Sequence, residues 1–168
     1  DIAPAQEHNF SISGGGKTAS YFLSTNYLDQ SGIFTYADEK YNRFTVNGKL
    51  DVKLTENLKL QWSSRFIDIV NNRPTSMTGL GNLFYHNLGR RNPLSPLVMP
   101  TGEYSGESMI QALQNGGKHI DKNQTFYNQL QLTYEPLKNW RVYADIGSRI
   151  ENPRSSKQFK KIWITQPD

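Results

Sequence analysis

The most constraining feature of this sequence is an alternation of apolar and polar residues that recurs in several separate segments. From Phe44 to Leu54, every even-numbered residue is apolar or neutral, and every odd-numbered residue between them is polar or charged. Residues two apart lie on the same face of a β-strand, whereas a helix would spread them around its circumference. Each such segment is therefore predicted to be a strand with one apolar face.

The alternation predicts about six strands. Only Asn128 interrupts the apolar face of the fifth segment, and Ser148 interrupts that of the sixth. In the fourth segment the alternation slips at Ile67 and Asp68, which indicates either a bulge or the point where the strand leaves an apolar zone. The predicted strands lie near residues 7–13, 19–28, 43–54, 58–70, 124–135 and 140–150.

The connections between these strands are alternately short and long. In an antiparallel sheet, this order places all the short turns at one end and all the long loops at the other, as in outer-membrane barrels with tight periplasmic turns and long extracellular loops. The longest loop, at about 71–122, shows no clear periodicity and is predicted to be poor in regular structure. The short connections lie near 14–17, 55–57 and 136–139, and the other long one lies near 29–42.

Strand length and charge distinguish two fold classes. The regular segments run for about 10 to 12 residues, close to the roughly 9 to 11 needed to cross a bilayer and longer than the ~5 to 6 of ordinary strands. The pattern predicts an all-β, antiparallel transmembrane β-barrel segment that is part of a larger barrel. A soluble β-barrel or sandwich that binds a ligand or carbohydrate also alternates, and it remains the alternative.

Composition excludes several other classes of protein. The chain has no cysteine, which removes disulfide frameworks, thiolate catalysis and cysteine-based zinc sites. Its net charge of +4 is too small to indicate a nucleic-acid surface. A mean hydropathy of −0.68 and the lack of a long apolar run exclude a transmembrane helix, but they do not exclude membrane-spanning strands. Both ends of the chain look like cuts, so a piece of a longer protein is expected.

No motif in the sequence indicates an enzyme, a metal site or a cofactor. The run GGGKT at 14–18 resembles the end of a phosphate-binding loop, but Ser11 stands where that motif needs a glycine, and a strand follows instead of a helix. A hairpin turn is the better interpretation. His8, His86 and His119 lack the spacing of metal ligands.

Several segments carry a resemblance to a known family. Residues 3–16 (APAQEHNFSISGGG), 17–33 (KTASYFLSTNYLDQSGI) and 41–51 (YNRFTVNGKLD) resemble the barrel of SusC/RagA-type TonB-dependent outer-membrane transporters. The segments 91–96 (RNPLSP) and 99–104 (MPTGEY) resemble a loop of the same family. The resemblance is dense over residues 3–54, looser over 82–104, and limited to the pattern of alternation beyond that.

The resemblance implies a function for the whole protein. Such a transporter lies in the outer membrane and imports a glycan or a peptide. It works with a SusD-like surface lipoprotein and is driven by the TonB complex, which would act through an N-terminal region that is missing from this sequence. The present chain would then contribute barrel wall and extracellular loops, in contact with outer-membrane lipid.

Charged residues opposite the apolar faces are the main candidates for the interior of a barrel. A charge facing lipid at mid-bilayer costs roughly 2 to 4 kcal/mol, so these residues are predicted to face the lumen, where they would contact a plug, line the substrate path or pair with one another. Arg141 and Asp145 are candidates for such a pair. The predicted lumen-facing residues are Lys49, Asp51, Lys53, Arg65, Arg141, Asp145 and Arg149.

Aromatic residues and the long loop provide the remaining candidates. Tyr134 and Trp140 flank a short turn, and Tyr27 and Phe44 flank a long loop, as in the aromatic girdles of membrane barrels. In the long loop, Arg90 and Arg91 either meet an anionic ligand or are simply solvated. The loop aromatics either stack on sugar rings or pack the loop against itself; they are Phe84, Tyr85 and Tyr104.

Overall fold

The computed structural model describes residues 2–77, 83–105 and 108–162, in which the chain forms one six-stranded antiparallel sheet. Each strand pairs with its neighbours in sequence, so the order across the sheet is the order along the chain. The predicted all-β, antiparallel architecture is confirmed. The strands are β1 (Ala5–Gly15), β2 (Ala19–Ser31), β3 (Lys40–Thr55), β4 (Leu58–Pro74), β5 (Lys118–Leu137) and β6 (Trp140–Lys157).

The connections fall at opposite ends of the sheet according to their length. Residues 16–18, 56–57 and 138–139 form the short turns of one end, called here the turn end. Asn139 has a φ of 71°, a left-handed conformation that asparagine tolerates better than most residues. Residues 32–39 and 75–117 form the two long connections of the other end, called the loop end.

All six strands extend further toward the loop end than the sequence predicts, and β4, β5 and β6 extend furthest. β4 continues to Pro74, β5 begins at Lys118, and β6 continues to Lys157. These extensions carry polar residues on both faces, so they show no alternation of hydropathy although their backbones remain paired. The strand limits and the predicted loop of about 71–122 are corrected accordingly.

The slip in alternation at Ile67 and Asp68 does not mark a bulge. Pairing of β4 with both β3 and β5 continues without a register shift through these residues. The irregularities lie instead beside the turns, between Lys53 and Thr55 and between Tyr134 and Leu137. Asp68 therefore interrupts the apolar face of β4 without a bulge, and the bulge interpretation is wrong.

The longest connection contains regular structure, which corrects the prediction of a structure-poor loop. It holds a 3₁₀ helix at Thr75–Met77, helix α1 at Leu83–Arg90 and helix α2 at Ile110–Asn115. Helices this short are marginal on their own and depend on packing. Within the described residues, no helix is long and apolar enough to cross a membrane.

The buried hydrophobic side chains lie in the loops rather than in the sheet. Met77, Phe84 and Leu113 form a buried cluster in the long connection. Partly buried residues pack against this cluster from both connections: Phe34, Ala37 and Met109. These six residues, called here the loop core, hold the two long connections together above the sheet.

Gly117 joins the long connection to β5 and is expected not to tolerate a side chain. Its φ is 108°, and a Cβ there would overlap the backbone carbonyl of Gln158. We expect Gly117→Ala to destabilise the protein by at least about 1 to 2 kcal/mol, measured by urea unfolding of the full-length protein in detergent. Gly89→Ala is the control, because its Cβ would meet no atom within 4 Å and its backbone does not need glycine; equal losses in both variants would contradict this prediction.

Candidate functional site

The two faces of the sheet differ sharply in chemistry. The face that carries Phe44 and Leu50 is here called the apolar face, and the pairing register keeps its members aligned across all six strands. Many of its large side chains are exposed, from 36% for Leu50 to 74% for Ile146. A contiguous apolar surface of this extent is unusual for a soluble monomer and marks an interaction site. The exposed members are Phe10, Ile12, Tyr21, Leu23, Tyr27, Phe44, Leu50, Leu54, Trp62, Phe126, Leu130, Tyr134, Trp140, Val142, Ile146 and Ile150.

The apolar face has an aromatic boundary toward the loop end. On β1 to β5 the residue at this boundary is Phe10, Tyr27, Phe44, Phe66 or Phe126, and beyond it the same face carries the aliphatic residues Val70 of β4 and Ile120 of β5. The next residue of the same face is polar in every case: His8, Asp29, Asn42, Asp68 and Gln124. On β3 the apolar stretch from Phe44 to Leu54 spans ~33 Å along the strand, or ~25 Å after a tilt of ~40°, which equals the apolar band of an outer-membrane barrel.

One row of small or polar residues crosses the apolar face. Gly48 pairs with Ser64, Ser64 with Asn128, and Asn128 with Ser148, so these four residues of β3 to β6 lie side by side. Apolar rows flank them on both sides. The two interruptions seen in the sequence, at Asn128 and Ser148, are therefore parts of one feature that single strands do not reveal.

The opposite face, called here the charged face, carries all seven predicted lumen residues. Lys49, Arg65 and Arg149 come together around an open hollow of about 690 Å³ that spans β2 to β6. Phe22 and Tyr127 also line this hollow. The sheet is therefore concave on the charged face. The other four lie on the same face toward the turn end: Asp51, Lys53, Arg141 and Asp145.

A row of hydrogen bonds crosses the charged face at the hollow. Asn47 donates through Nδ2 to Oγ of Ser24 at 3.2 Å, and Arg65 donates through Nε to Oδ1 of Asn47 at 2.8 Å. Further along the row, the guanidinium of Arg149 lies 5.3 Å from the ring centre of Tyr127, a cation–π contact. These contacts link the side chains of neighbouring strands across the charged face.

Asp51 and Asp145 on the charged face accept hydrogen bonds from the side-chain amides of glutamines. Gln61 donates to Asp51 at 2.8 Å, and Gln131 donates to Asp145 at 3.2 Å. The expected pair between Arg141 and Asp145 does not form, because these residues lie four apart on one strand. Arg141 instead pairs with Glu135 across the turn, with 3.2 Å between Nε and Oε2.

A second polar cluster, absent from the sequence-based prediction, lies at the loop end. Arg73 and Asp121 form an ion pair at 2.6 Å, and Nε2 of His119 lies 3.0 Å from the same carboxylate and 2.9 Å from Oγ of Ser155. Glu39 lies close to Arg73; burial raises the pKa of its carboxyl, and the positive charge of Arg73 partly opposes the shift. The cluster ties β4, β5 and β6 together where their polar extensions begin.

The three aromatic candidates of the long loop have different environments. Tyr85 is half exposed and makes edge contacts with Phe34 and Phe84, while Tyr104 packs edge-on against Tyr36 with ring centres 5.8 Å apart. Phe84 is buried in the loop core, so stacking of its ring on a sugar is excluded in this arrangement.

The paired arginines of the loop also differ. Arg90 lies 2.9 Å from Nε2 of His86 on α1. Arg91 donates to the backbone carbonyls of Ser95 and Pro96 at 2.9 and 3.0 Å, so it braces the loop rather than projecting freely into solvent. Of these two cations, Arg90 is the one with a side chain on an exposed helix surface.

Comparison with known proteins gives one informative relationship. No protein-family model matches the chain. A TonB-dependent receptor from Formosa agariphila is 25% identical over 164 residues, a match that covers 92% of this chain and 16% of that protein. The chain is similar to a TonB-dependent receptor. It spans about one-sixth of the length of that relative.

The similarity to a TonB-dependent receptor extends over both the sheet and the long connections, since it covers nearly the whole chain. The relative is named as a receptor and not as an enzyme. Within the ranges that the structure describes, no group of three or more histidine, aspartate or glutamate side chains is arranged to hold a metal ion.

Proposed function

We propose that this chain forms six neighbouring strands in the barrel wall of an outer-membrane TonB-dependent transporter. The observation that carries the proposal is the exposed apolar face with its aromatic boundary and its height of ~25 Å. Lipid would cover this face in the native protein. The similarity to a TonB-dependent receptor supports the same role.

The two edges of the sheet support a larger barrel. β1 pairs only with β2, and β6 pairs only with β5, among the strands that the structure describes. Unpaired backbone N–H and C=O groups are costly in a bilayer, so membrane-spanning sheets close into barrels. The full transporter would supply the strands that pair with β1 and β6.

The proposal assigns a direction to each surface. The charged face, with Lys49, Arg65 and Arg149, would line the lumen, because charges on the lipid face cost roughly 2 to 4 kcal/mol each. The turn end would face the periplasm, and the loop end would face the cell exterior. The strand extensions beyond the aromatic boundary would then project above the membrane.

The finer proposal is a SusC/RagA-type transporter that imports a glycan or peptide together with a SusD-like lipoprotein. The motifs in residues 3–51 support this subfamily. Exposed apolar side chains on the long connections would suit a protein partner at the cell surface: Ile33 (57%), Tyr85 (49%), Leu94 (89%) and Leu97 (44%). Coupling to TonB would require a region outside the present sequence.

The alternative of a soluble ligand-binding barrel or sandwich gains no support from the described residues. Such a fold buries one face of its sheet as a core. Here many large apolar residues of the sheet remain more than one-third exposed, and the buried hydrophobic cluster lies in the loops.

The proposed function is tested on the protein isolated from its native cells. We expect it in the outer-membrane fraction, soluble only in detergent, as a polypeptide several times larger than 19.2 kDa. We also expect it to migrate faster on electrophoresis before boiling than after, as folded barrels do. A water-soluble protein of 19 kDa would contradict the proposal and favour a small ligand-binding domain.

A further inference from the structure

The hollow on the charged face is lined by cations without acidic residues. Lys49, Arg65 and Arg149 contribute three positive charges, and none of the other residues that line it is aspartate or glutamate. The rest of the lining is amide, hydroxyl, glycine and aromatic, including Asn47 and Tyr127. The hollow therefore has a positive potential that a bound anion would reduce.

Two of these cations have no acidic partner within the described residues. Arg149 pairs with Glu151. Arg65 donates through Nε to the amide oxygen of Asn47, and neither Arg65 nor Lys49 forms an ion pair with any carboxylate that the structure describes. The hollow therefore retains cations whose charge the surrounding wall does not neutralise.

The neighbouring acidic residues do not neutralise these cations. Asp51 and Asp145 lie toward the turn end and accept hydrogen bonds from Gln61 and Gln131. Asp51 and Asp145 thus lie outside the hollow, in a zone that also holds Lys53 and Arg141. The charges of Lys49 and Arg65 therefore stay available to an anionic ligand.

The spacing of the cations indicates a ligand with more than one negative charge. Lys49 and Arg65 are diagonal neighbours on β3 and β4, about 7 to 8 Å apart at their Cα atoms. Arg65 and Arg149 flank Tyr127 in one row, two strand spacings or ~10 Å apart. The three cations come from three different strands, so each can bind its own anionic group of one chain, which a single carboxylate does not provide.

The residues that line the hollow also indicate which kind of anionic ligand it would bind. Ser63 and Gln129, with Asn47, offer hydroxyl and amide groups that suit a ligand rich in hydroxyls. The exposed ring of Phe22 offers a surface for a sugar ring, and the hollow is open rather than a closed pocket for single peptide side chains. We propose that the hollow binds acidic oligosaccharide, with carboxylate or sulfate groups held by Lys49, Arg65 and Arg149. This substrate class rests on the proposed function as an importer.

The test compares two double variants of the full-length protein in detergent. Lys49→Gln with Arg65→Gln removes the two unpaired cations of the hollow. Lys53→Gln with Arg141→Gln removes the same charge from the same face, outside the hollow. Binding is measured by calorimetry with hexagalacturonate, a heparin hexasaccharide, neutral maltohexaose and hexaglutamate peptide. Electrophoretic mobility before and after boiling verifies that each variant is a folded barrel.

We expect the natural protein to bind the two acidic sugars more tightly than maltohexaose, with an affinity that falls as ionic strength rises. The hollow variant should lose roughly tenfold or more of that affinity, and the control variant less than about threefold. Maltohexaose binding should not change in either variant.

Several outcomes would overturn this inference. They are equal binding of acidic and neutral sugars, equal losses in both double variants, and tighter binding of hexaglutamate than of the acidic sugars. A fourth is a hollow variant with a lower unfolding temperature but unchanged sugar binding, which would mean that the cations hold an acidic segment of the protein itself. In each case a folded barrel in the outer membrane would leave the proposed function intact, whereas its absence from that membrane would refute the proposed function separately.

Discussion

Leu130→Arg is expected to prevent stable assembly of the protein in the outer membrane. Leu130 lies in the middle of the apolar face, in a row with Leu50, Trp62 and Ile146. If this face contacts lipid, a guanidinium there costs roughly 2 to 4 kcal/mol near the bilayer midplane. We expect a strong loss of the folded, fast-migrating form in the outer-membrane fraction and a matching loss of unfolding free energy in urea with lipid vesicles.

Gln131→Arg is the matched control, since the next residue of the same strand lies at nearly the same height on the charged face. The Gln131 side chain donates to Asp145 at 3.2 Å, and an arginine there would keep an acidic partner. We expect wild-type amounts of folded protein. Equal tolerance of both variants would refute contact of the apolar face with lipid, and damage by Gln131→Arg alone would mean that the two faces are assigned the wrong way round.

The strands were predictable where the two faces of the sheet differ in chemistry. Residues 43–54 and 140–150 alternate because one side chain in two lies on the apolar face and the next lies on the charged face. The extensions of β4 to β6 have polar residues on both faces, so alternation carries no information there. Their pairing depends on contacts between strands, such as Arg73 with Asp121, which no single strand reveals.

The charged face was only partly predictable. Alternation assigns each of the seven residues to one side of its own strand, and the structure places them all on the same face of the sheet. Their grouping depends on register, which a slip of one residue would reverse. The register brings Lys49, Arg65 and Arg149 to one hollow and aligns Ser64 with Asn128 and Ser148 on the other face. Whether the charged face lines a lumen stays a prediction.

The loop region escaped prediction because its stability comes from contacts distant in sequence. Helices α1 and α2 have eight and six residues, too short to be marked by periodicity. The ring of Phe34, from the first long connection, packs on Phe84 of the second, with ring centres 5.0 Å apart. Only the apolar character of these residues was visible in the sequence.

Phe84→Ala is expected to unfold the long connections while leaving the sheet assembled. Phe84 is 6% exposed and contacts Phe34, and the loop core joins it to Met77 and Leu113. Replacing a buried phenylalanine by alanine removes about 3 kcal/mol or more, which is large for a cluster of this size. Limited proteolysis of the full-length protein in detergent should therefore cut within residues 75–117 many times faster than in the natural protein.

Tyr85→Ala tests whether burial, rather than aromatic character, is responsible. Tyr85 follows Phe84 on α1 and also contacts Phe34, but it is 49% exposed, so its removal leaves little cavity. We expect cleavage close to the natural rate and an unchanged amount of folded barrel in both variants. If Phe84→Ala also prevented assembly of the barrel, the loop core would be needed for the sheet to form. Unfolding of the loops alone would not separate strands that remain paired within a closed barrel.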